Sequence, residues 1–209
     1  MLKADKEVVI TATSLVYDGE ASRATYTGKA NLIQGEVTIN AESLVIDDKS
    51  GNLTATGGVT TTGKLVEEKA DQTRESVLSI GKGKEFMYVE ADRRATYDGN
   101  ASLVGNQRDM SADRIELYLK ESGDQVEHAE AHQHVRLTEK GYTITGNEMK
   151  YFSKDEHYEL SGTPLTIVDK CGVTATGLSL TYFRATDRII VDGTDQTRTQ
   201  TTGKGSTCP

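Results

Sequence analysis

Apolar and polar residues alternate with a period of two along most of the chain, the pattern of strands with one buried face. In residues 23–32 the even positions Ala24, Tyr26, Gly28, Ala30 and Leu32 are small or apolar, and the odd ones are polar. The same alternation runs through residues 37–41, 115–119 and 142–146. Asp18-Gly19, the stretch from Asp47 to Gly51, Ser122-Gly123-Asp124 and Asp192-Gly193 supply turn chemistry between these runs. With 27 threonines and 9 tyrosines, which favour a pleated, half-exposed surface, the chain reads as all-β with little room for helix.

An internal repeat organises these strands. Residues 23–32 recur as residues 94–103, seven of the ten identical. The same offset of 71 carries Leu15 to Phe86, Tyr17 to Tyr88, Ile39 to Met110, Ala41 to Ala112, Leu44 to Ile115 and Ile46 to Leu117. A more diverged third copy aligns Met149, Tyr151, Leu160, Leu180 and Tyr182 with those positions. A glycine or its substitute opens the matching strand at Gly28, Gly57, Gly99, Gln133, Gly162 and Gly193, which divides the chain into six rungs of roughly thirty residues. The expected organisation is one elongated domain over residues 1–209, with copies at about 8–75, 76–146 and 147–200 and a disordered tail at 201–209. The Glu-, Lys- and Gly-rich stretch from Gly63 to Lys84 reads as an irregular loop between copies, with a short amphipathic helix over residues 65–78 as the alternative.

Composition narrows the function. Only 35% of the 209 residues are hydrophobic, which suits a long body with a thin core. The net charge of -8 repels phosphate backbones, so nucleic acid is not an expected partner. No apolar run is long enough to cross a bilayer as a helix, and the first five residues lack the apolar stretch of a signal peptide. A cytosolic protein and a processed form of an exported one both fit. Cys171 and Cys208 lack metal-ligand spacing; a disulfide between them and two separate thiols are both open.

The half-repeat has the form I-x-A-[DE]-x-[LI]-x-[IL], a turn, then a strand built around glycine. It runs from Ile39 through Ala41, Glu42 and Leu44 to Ile46, and again from Met110 through Ala112, Asp113 and Ile115 to Leu117. Over roughly residues 8–62 and 79–193 this resembles the OstA-like domain of the lipopolysaccharide transport proteins, the family of LptA, LptC and the N-terminal part of LptD. The resemblance implies a twisted, open β-jellyroll of two facing antiparallel sheets that admits lipid A acyl chains between them. It also implies a non-enzymatic periplasmic role in outer-membrane biogenesis of a Gram-negative cell, bridging inner- and outer-membrane export components. Its partners would be lipopolysaccharide, LptC-like and LptD-like jellyroll domains, and further copies of the chain joined head to tail. No cofactor is implied.

The alternation supports an apolar interior without the family. Carried across the repeat, it turns Leu15, Tyr17, Tyr26, Leu32, Ile39, Leu44, Ile46, Phe86, Tyr88, Tyr97, Leu103, Met110, Ile115, Leu117, Ile144, Met149, Tyr151, Leu160, Leu180 and Tyr182 to one face. Small residues among them, such as Ala41, Ala112, Gly146 and Gly177, would leave a slot, although alternating apolar residues equally describe a filled sandwich. A buried CH₂ contributes about 0.8 kcal/mol, so an acyl chain in such a slot needs no ionic contact. Val8, Val9 and Ile10 near one end, and Ile189, Ile190 and Val191 near the other, are apolar edge strands suited to pairing with another sheet.

Other chemistry is thin. His128, His132 and His134 share a parity, as metal ligands on one strand face could, but repeat alignment puts Val135 and Leu137 inward and the histidines outward. No nucleophile elbow, phosphate loop or zinc-protease motif occurs. The tetrapeptide Asp71–Arg74 recurs as Asp195–Arg198 and is too short to interpret. Two alternatives from other classes are a β-solenoid enzyme acting on polysaccharide, which needs acidic residues at matching rung positions, and a structural or adhesive repeat protein with a solid core.

Overall fold

Alternating side chains and repeated turn residues produce long antiparallel strands joined by tight hairpins, as a computed structural model shows for residues 7–68, 73–105, 108–193 and 199–202. The strands are β1 (Val9–Thr11), β2 (Ser14–Asp18), β3 (Arg23–Gln34), β4 (Val37–Asp47), β5 (Asn52–Glu68), β6 (Arg74–Val89) and β7 (Arg94–Gly105). They continue as β8 (Arg108–Leu119), β9 (Val126–Glu139), β10 (Tyr142–Phe152), β11 (His157–Val168), β12 (Thr174–Phe183), β13 (Arg188–Asp192) and β14 (Gln200–Thr202). Each of β3 to β12 pairs with the next in sequence, a meander, while β1 and β2 both pair with β3 and β14 joins β13 on β12. The chain is therefore all-β, open and antiparallel.

A single crease turns this one hydrogen-bonded sheet into two facing layers. Every neighbouring pair from β3 to β12 shifts register in mid-strand, and the shifts fall in one line. Along that line odd strands carry extra residues relative to the even ones: Gly28-Lys29 face Glu42, Gly99-Asn100 face Asp113, and on β11 three residues, 162–164, face one on β12. Both residues of the Gly28-Lys29 and Gly99-Asn100 pairs take positive φ, which kinks the strand sharply. Gly57 shows why glycine is used. Its φ is +87°, and a Cβ there would lie 2.4 Å from Cβ of Glu42. Gly28, Gly57, Gly99 and Gly162 thus mark the middle of strands, where they bend, and not their beginnings, while Gly193 follows the end of β13; Gln133 and His134 hold the same left-handed conformation with side chains attached.

Segments on either side of the crease form a first layer, containing residues 52–56, 94–98 and 148–152, and a second, containing residues 30–34, 101–105 and 135–139. Thr61 of the second layer and Tyr97 of the first share a hydrogen bond of 2.6 Å across the interior. The fully buried large side chains Phe86, Tyr88, Tyr158 and Tyr182 come from the first layer, and Leu32, Ile39, Leu137 and Ile144 from the second. Opposite the crease the two layers meet along a seam, at Val66 with Asp124 and at Lys140 with Arg184.

Two expectations about the ends of elements need correcting. The described part of the stretch from Gly63 to Lys84 is strand and neither irregular loop nor helix: β5 continues to Glu68 and β6 starts at Arg74, paired from Glu68↔Arg74 back to Leu53↔Tyr88, and residues 69–72 lie outside the described residues. Charged residues on its solvent side hide a strand whose other side carries Leu65 and Val77, packed or half-packed inward. Thr201 and Thr202, placed in a disordered tail, pair with Ala175 and Thr174 in β14; residues 203–209 lie outside the described residues.

Candidate functional site

Two adjoining cavities lie between the layers at mid-length. A cavity of about 160 Å³ is walled by Val37, Thr61 and Leu103 of the second layer, by Ala95, Tyr97, Leu117 and Leu119 of the first, and by Leu65 and Val66. A second, of about 50 Å³, is walled by Arg108, Met110, Val126, Ala129, Met149, Tyr151 and Tyr158. The two adjoin, sharing Leu65, Val66, Ser79, Leu103 and Leu117 in their walls. Burial pushes the Tyr97 phenol up to about 12, partly offset by its hydrogen bond with Thr61, so it stays neutral in the lumen.

Of the residues that alternation turned inward, Tyr97, Leu103, Met110, Leu117, Met149 and Tyr151 line these cavities. Leu32, Ile39, Leu44, Phe86, Tyr88, Ile115, Ile144, Leu160, Leu180 and Tyr182 are buried in the packed interior away from them. Tyr26 and Ile46 are half-buried against it. Leu15 and Tyr17 depart from the expectation, at 55% and 57% exposure. Their inward parity is right, since they oppose Tyr26 and Ala24, but β2 ends the first layer and no strand packs beyond it among the described residues. The slot is also shorter than small residues suggest, because large aromatics fill the rest of the lumen. Leu65, Val66, Leu119, Arg108 and Tyr158 are wall residues that sequence reading missed; the alternation of Thr61, Gly63 and Leu65 past the end of the assumed strand was the available signal for the first.

The seam is not simply open. The long β5–β6 hairpin bends from the second layer onto the β8–β9 turn of the first, where Val66 N–H donates to the Asp124 carbonyl at 2.7 Å and Val66 bridges to Gln125. Further along, Arg184 in the β12–β13 turn donates through Nε to Glu139 at 2.6 Å, and Lys140 donates to the Arg184 carbonyl at 2.7 Å. Arg184 also reaches Glu156 at 3.2 Å and the Tyr151 hydroxyl at 3.3 Å. These carboxylates and buried phenols hold its guanidinium firmly charged against the cost of burial. Arg108 lies 3.6 Å from Glu139 and over the rings of Tyr151 and Tyr158, at 5.3 and 6.0 Å.

On the outer face of the first layer, ligand atoms of Glu116, Glu130 and His132 lie within 4.8 Å of one another. Cations already occupy them: Arg114 donates to Glu116 at 2.7 Å, and Lys150 lies 3.1 Å from Glu130. His132 bonds Glu148 at 2.5 Å, His134 bonds Asp113 at 2.9 Å across the crease, and His128 stacks on Tyr118. Burial raises the Glu116 carboxyl, but Arg114, Arg94 and His132 together bring it below the ordinary value. The cluster is a charge network that knits β8, β9 and β10.

At the ends of the meander, Val9 and Ile10 of β1 pair with Ile33 and Leu32, and Ile189, Ile190 and Val191 of β13 pair with Tyr182, Thr181 and Leu180. The outer edges of both strands carry no further strand among the described residues. Val8, Val9, Leu15, Val16 and Tyr17 make the first end an exposed apolar rim. Cys171 is disulfide-bonded; the other cysteine of the sequence, Cys208, lies outside the described residues, as do Asp71, Gln72 and Asp195 to Arg198 of the recurring tetrapeptide.

The sequence matches the family profile described as "LptA/(LptD N-terminal domain) LPS transport protein" over residues 9–121 and again over residues 82–188. The two windows start about one repeat apart, as tandem copies require. A comparison with curated proteins gave no match. Among solved structures the chain is similar to LptH, described as the LptA homologous periplasmic component of the conserved lipopolysaccharide transport device from Pseudomonas aeruginosa. That alignment has 16% identity and a TM-score of 0.46, covering 55% of this chain and 77% of that one.

Proposed function

Because the chain belongs to the LptA/LptD N-terminal domain family of lipopolysaccharide transport proteins, we propose that it is a periplasmic carrier that binds lipopolysaccharide, shields lipid A acyl chains between its two layers, and bridges inner- and outer-membrane export components. The observation that carries this reading is the apolar lumen, continuous from Leu32 to Leu180, with its open space at mid-length and its seam closed by a few bonds. Each methylene moved from water into that lumen contributes about 0.8 kcal/mol, enough to hold a chain despite the protein's negative charge.

Loading needs room beyond the present cavities. The layers part along the seam, which the Val66–Asp124 contact and the Arg184 group hold among the described residues, while the crease acts as the hinge line. The carrier works without catalysis; it holds the lipid and passes it on. The apolar rim at the first end, and strand edges that carry no further strand among the described residues at both ends, suit LptC-like and LptD-like jellyroll domains, or another copy stacked head to tail. The test is co-elution of the purified chain with lipopolysaccharide and, separately, with the same polysaccharide stripped of lipid A. The proposal expects a complex only with the lipidated form; equal binding of both, or of neither, contradicts it.

A further inference from the structure

We propose that Thr61 and Tyr97 recognise a hydroxyl group carried part-way along the acyl chain of a bound lipid, so that the lumen selects hydroxylated chains over plain ones. This rests on the lipid-carrier reading and specifies the class of chain that its interior takes. The lumen is interrupted here. Across the second layer one inward row runs through Leu32, Ile39, Thr61, Gly81, Leu103 and Met110, each opposite the next, and Thr61 is its polar member. In the second copy of the repeat the corresponding position, opposite Met110, is Leu137. A threonine is therefore not what the strand register demands at this point.

Thr61 and Tyr97 are each 4% exposed, and both line the 160 Å³ cavity. Gly81 gives the phenol its place, since a Cβ there would lie 2.5 Å from the Tyr97 hydroxyl, and with Gly63 and Ser79 it leaves a wall of small residues beside the pair. The 2.6 Å bond between the two hydroxyls spends one proton, and the other O–H has no acceptor among the described residues. That bond also joins the two layers, so a chain laid between them at this point separates its partners. Methylenes would then leave two buried hydroxyls without partners, which is costly. A hydroxyl on the chain accepts from one and donates to the other, and the single bond lost is replaced by two.

The test compares, by calorimetric titration below the micellar range, dodecanoate with hydroxydodecanoates that carry the hydroxyl near the head, at mid-chain or at the tail. At least one of these isomers should bind the unaltered chain about fivefold more tightly than dodecanoate, the worth of one net hydrogen bond. Thr61→Val combined with Tyr97→Phe keeps both side-chain shapes and strands no polar atom. In that double variant the preferred isomer should bind about tenfold more weakly than dodecanoate, because a hydroxyl without a partner is costly in an apolar lumen. Dodecanoate itself should bind the variant at least as tightly as it binds the unaltered chain. Tyr97→Phe alone, which serves if the double variant does not fold, keeps the Thr61 hydroxyl and should leave a preference of about twofold. If dodecanoate binds the unaltered chain as tightly as all of its isomers, or if the double variant retains the preference, the hydroxyl subsite is overturned and the carrier reading stands. If neither dodecanoate nor any isomer binds, subsite and carrier reading fall together.

Discussion

Replacing Arg184 with methionine removes an ionic tie between the two layers at the seam, and the structure sets the size of the effect. The side chain is 14% exposed and donates to Glu139, itself 4% exposed, as well as to Glu156 and Tyr151. Methionine keeps much of the volume but leaves Glu139 with only Arg108 at 3.6 Å. Removing one partner of a buried ion pair costs about 3–5 kcal/mol, most of it from stranding the other charge. Arg184→Met should therefore lower the free energy of urea unfolding by about that amount, and adding Glu139→Met should recover at least half of it. Lys64→Ala serves as the control: its bridge to Glu36 is 47% and 65% exposed, and its loss should cost under about 1 kcal/mol. If Arg184→Met costs no more than the control, or if Glu139→Met restores nothing, the seam is not held by this pair.

Gly81→Ala would place a Cβ 2.4 Å from Cζ of the buried Tyr97, so it should cost about 1–3 kcal/mol in thermal or urea unfolding, and much less in a Tyr97→Leu background. Glu116 has a folded pKa below its unfolded value of 4.5, so its contribution is present above that pH and is lost as pH falls through the lower, folded value. Glu116→Gln should flatten the acid limb of the stability–pH curve below pH 4.5, and an unchanged acid limb would count against the Arg114–Glu116 network. Val66→Cys with Gln125→Cys should form an intramolecular disulfide under mild oxidation, seen as a mobility shift on non-reducing gels, and should block lipid loading until reduced. Unhindered loading of the crosslinked protein would mean that the seam does not open there.

Much of this architecture could be read from the chain alone. Strict alternation around Ala24, Tyr26, Ala30 and Leu32, and its return 71 residues later, sufficed for the strands, the inward face and the family. The crease was half visible: glycine spacing located Gly28, Gly57 and Gly99, and the repeated acid located Glu42 and Asp113, but nothing local paired the two, and Gln133 and His134 adopt the same bend without the residue that advertises it. The β5–β6 hairpin escaped because its solvent face is charged and glycine-rich, which mimics a loop in composition while Leu65 and Val77 still alternate inward. Closure of the seam was out of reach, since Arg184 and Glu139 lie 45 residues apart and meet only through the fold. Leu15 and Tyr17 were misplaced for a different reason: parity fixes which way a side chain points, not whether anything stands opposite.

Site-specific photo-crosslinking addresses the central claim most directly. A photoreactive residue at Leu103 or Leu117, in the walls shared by the two cavities, should yield lipopolysaccharide adducts in cells exporting the lipid. The same residue at Glu130 or Lys150, on the outer face, should yield none. Adducts from the outer positions with none from the inner ones would contradict a lumen that carries acyl chains.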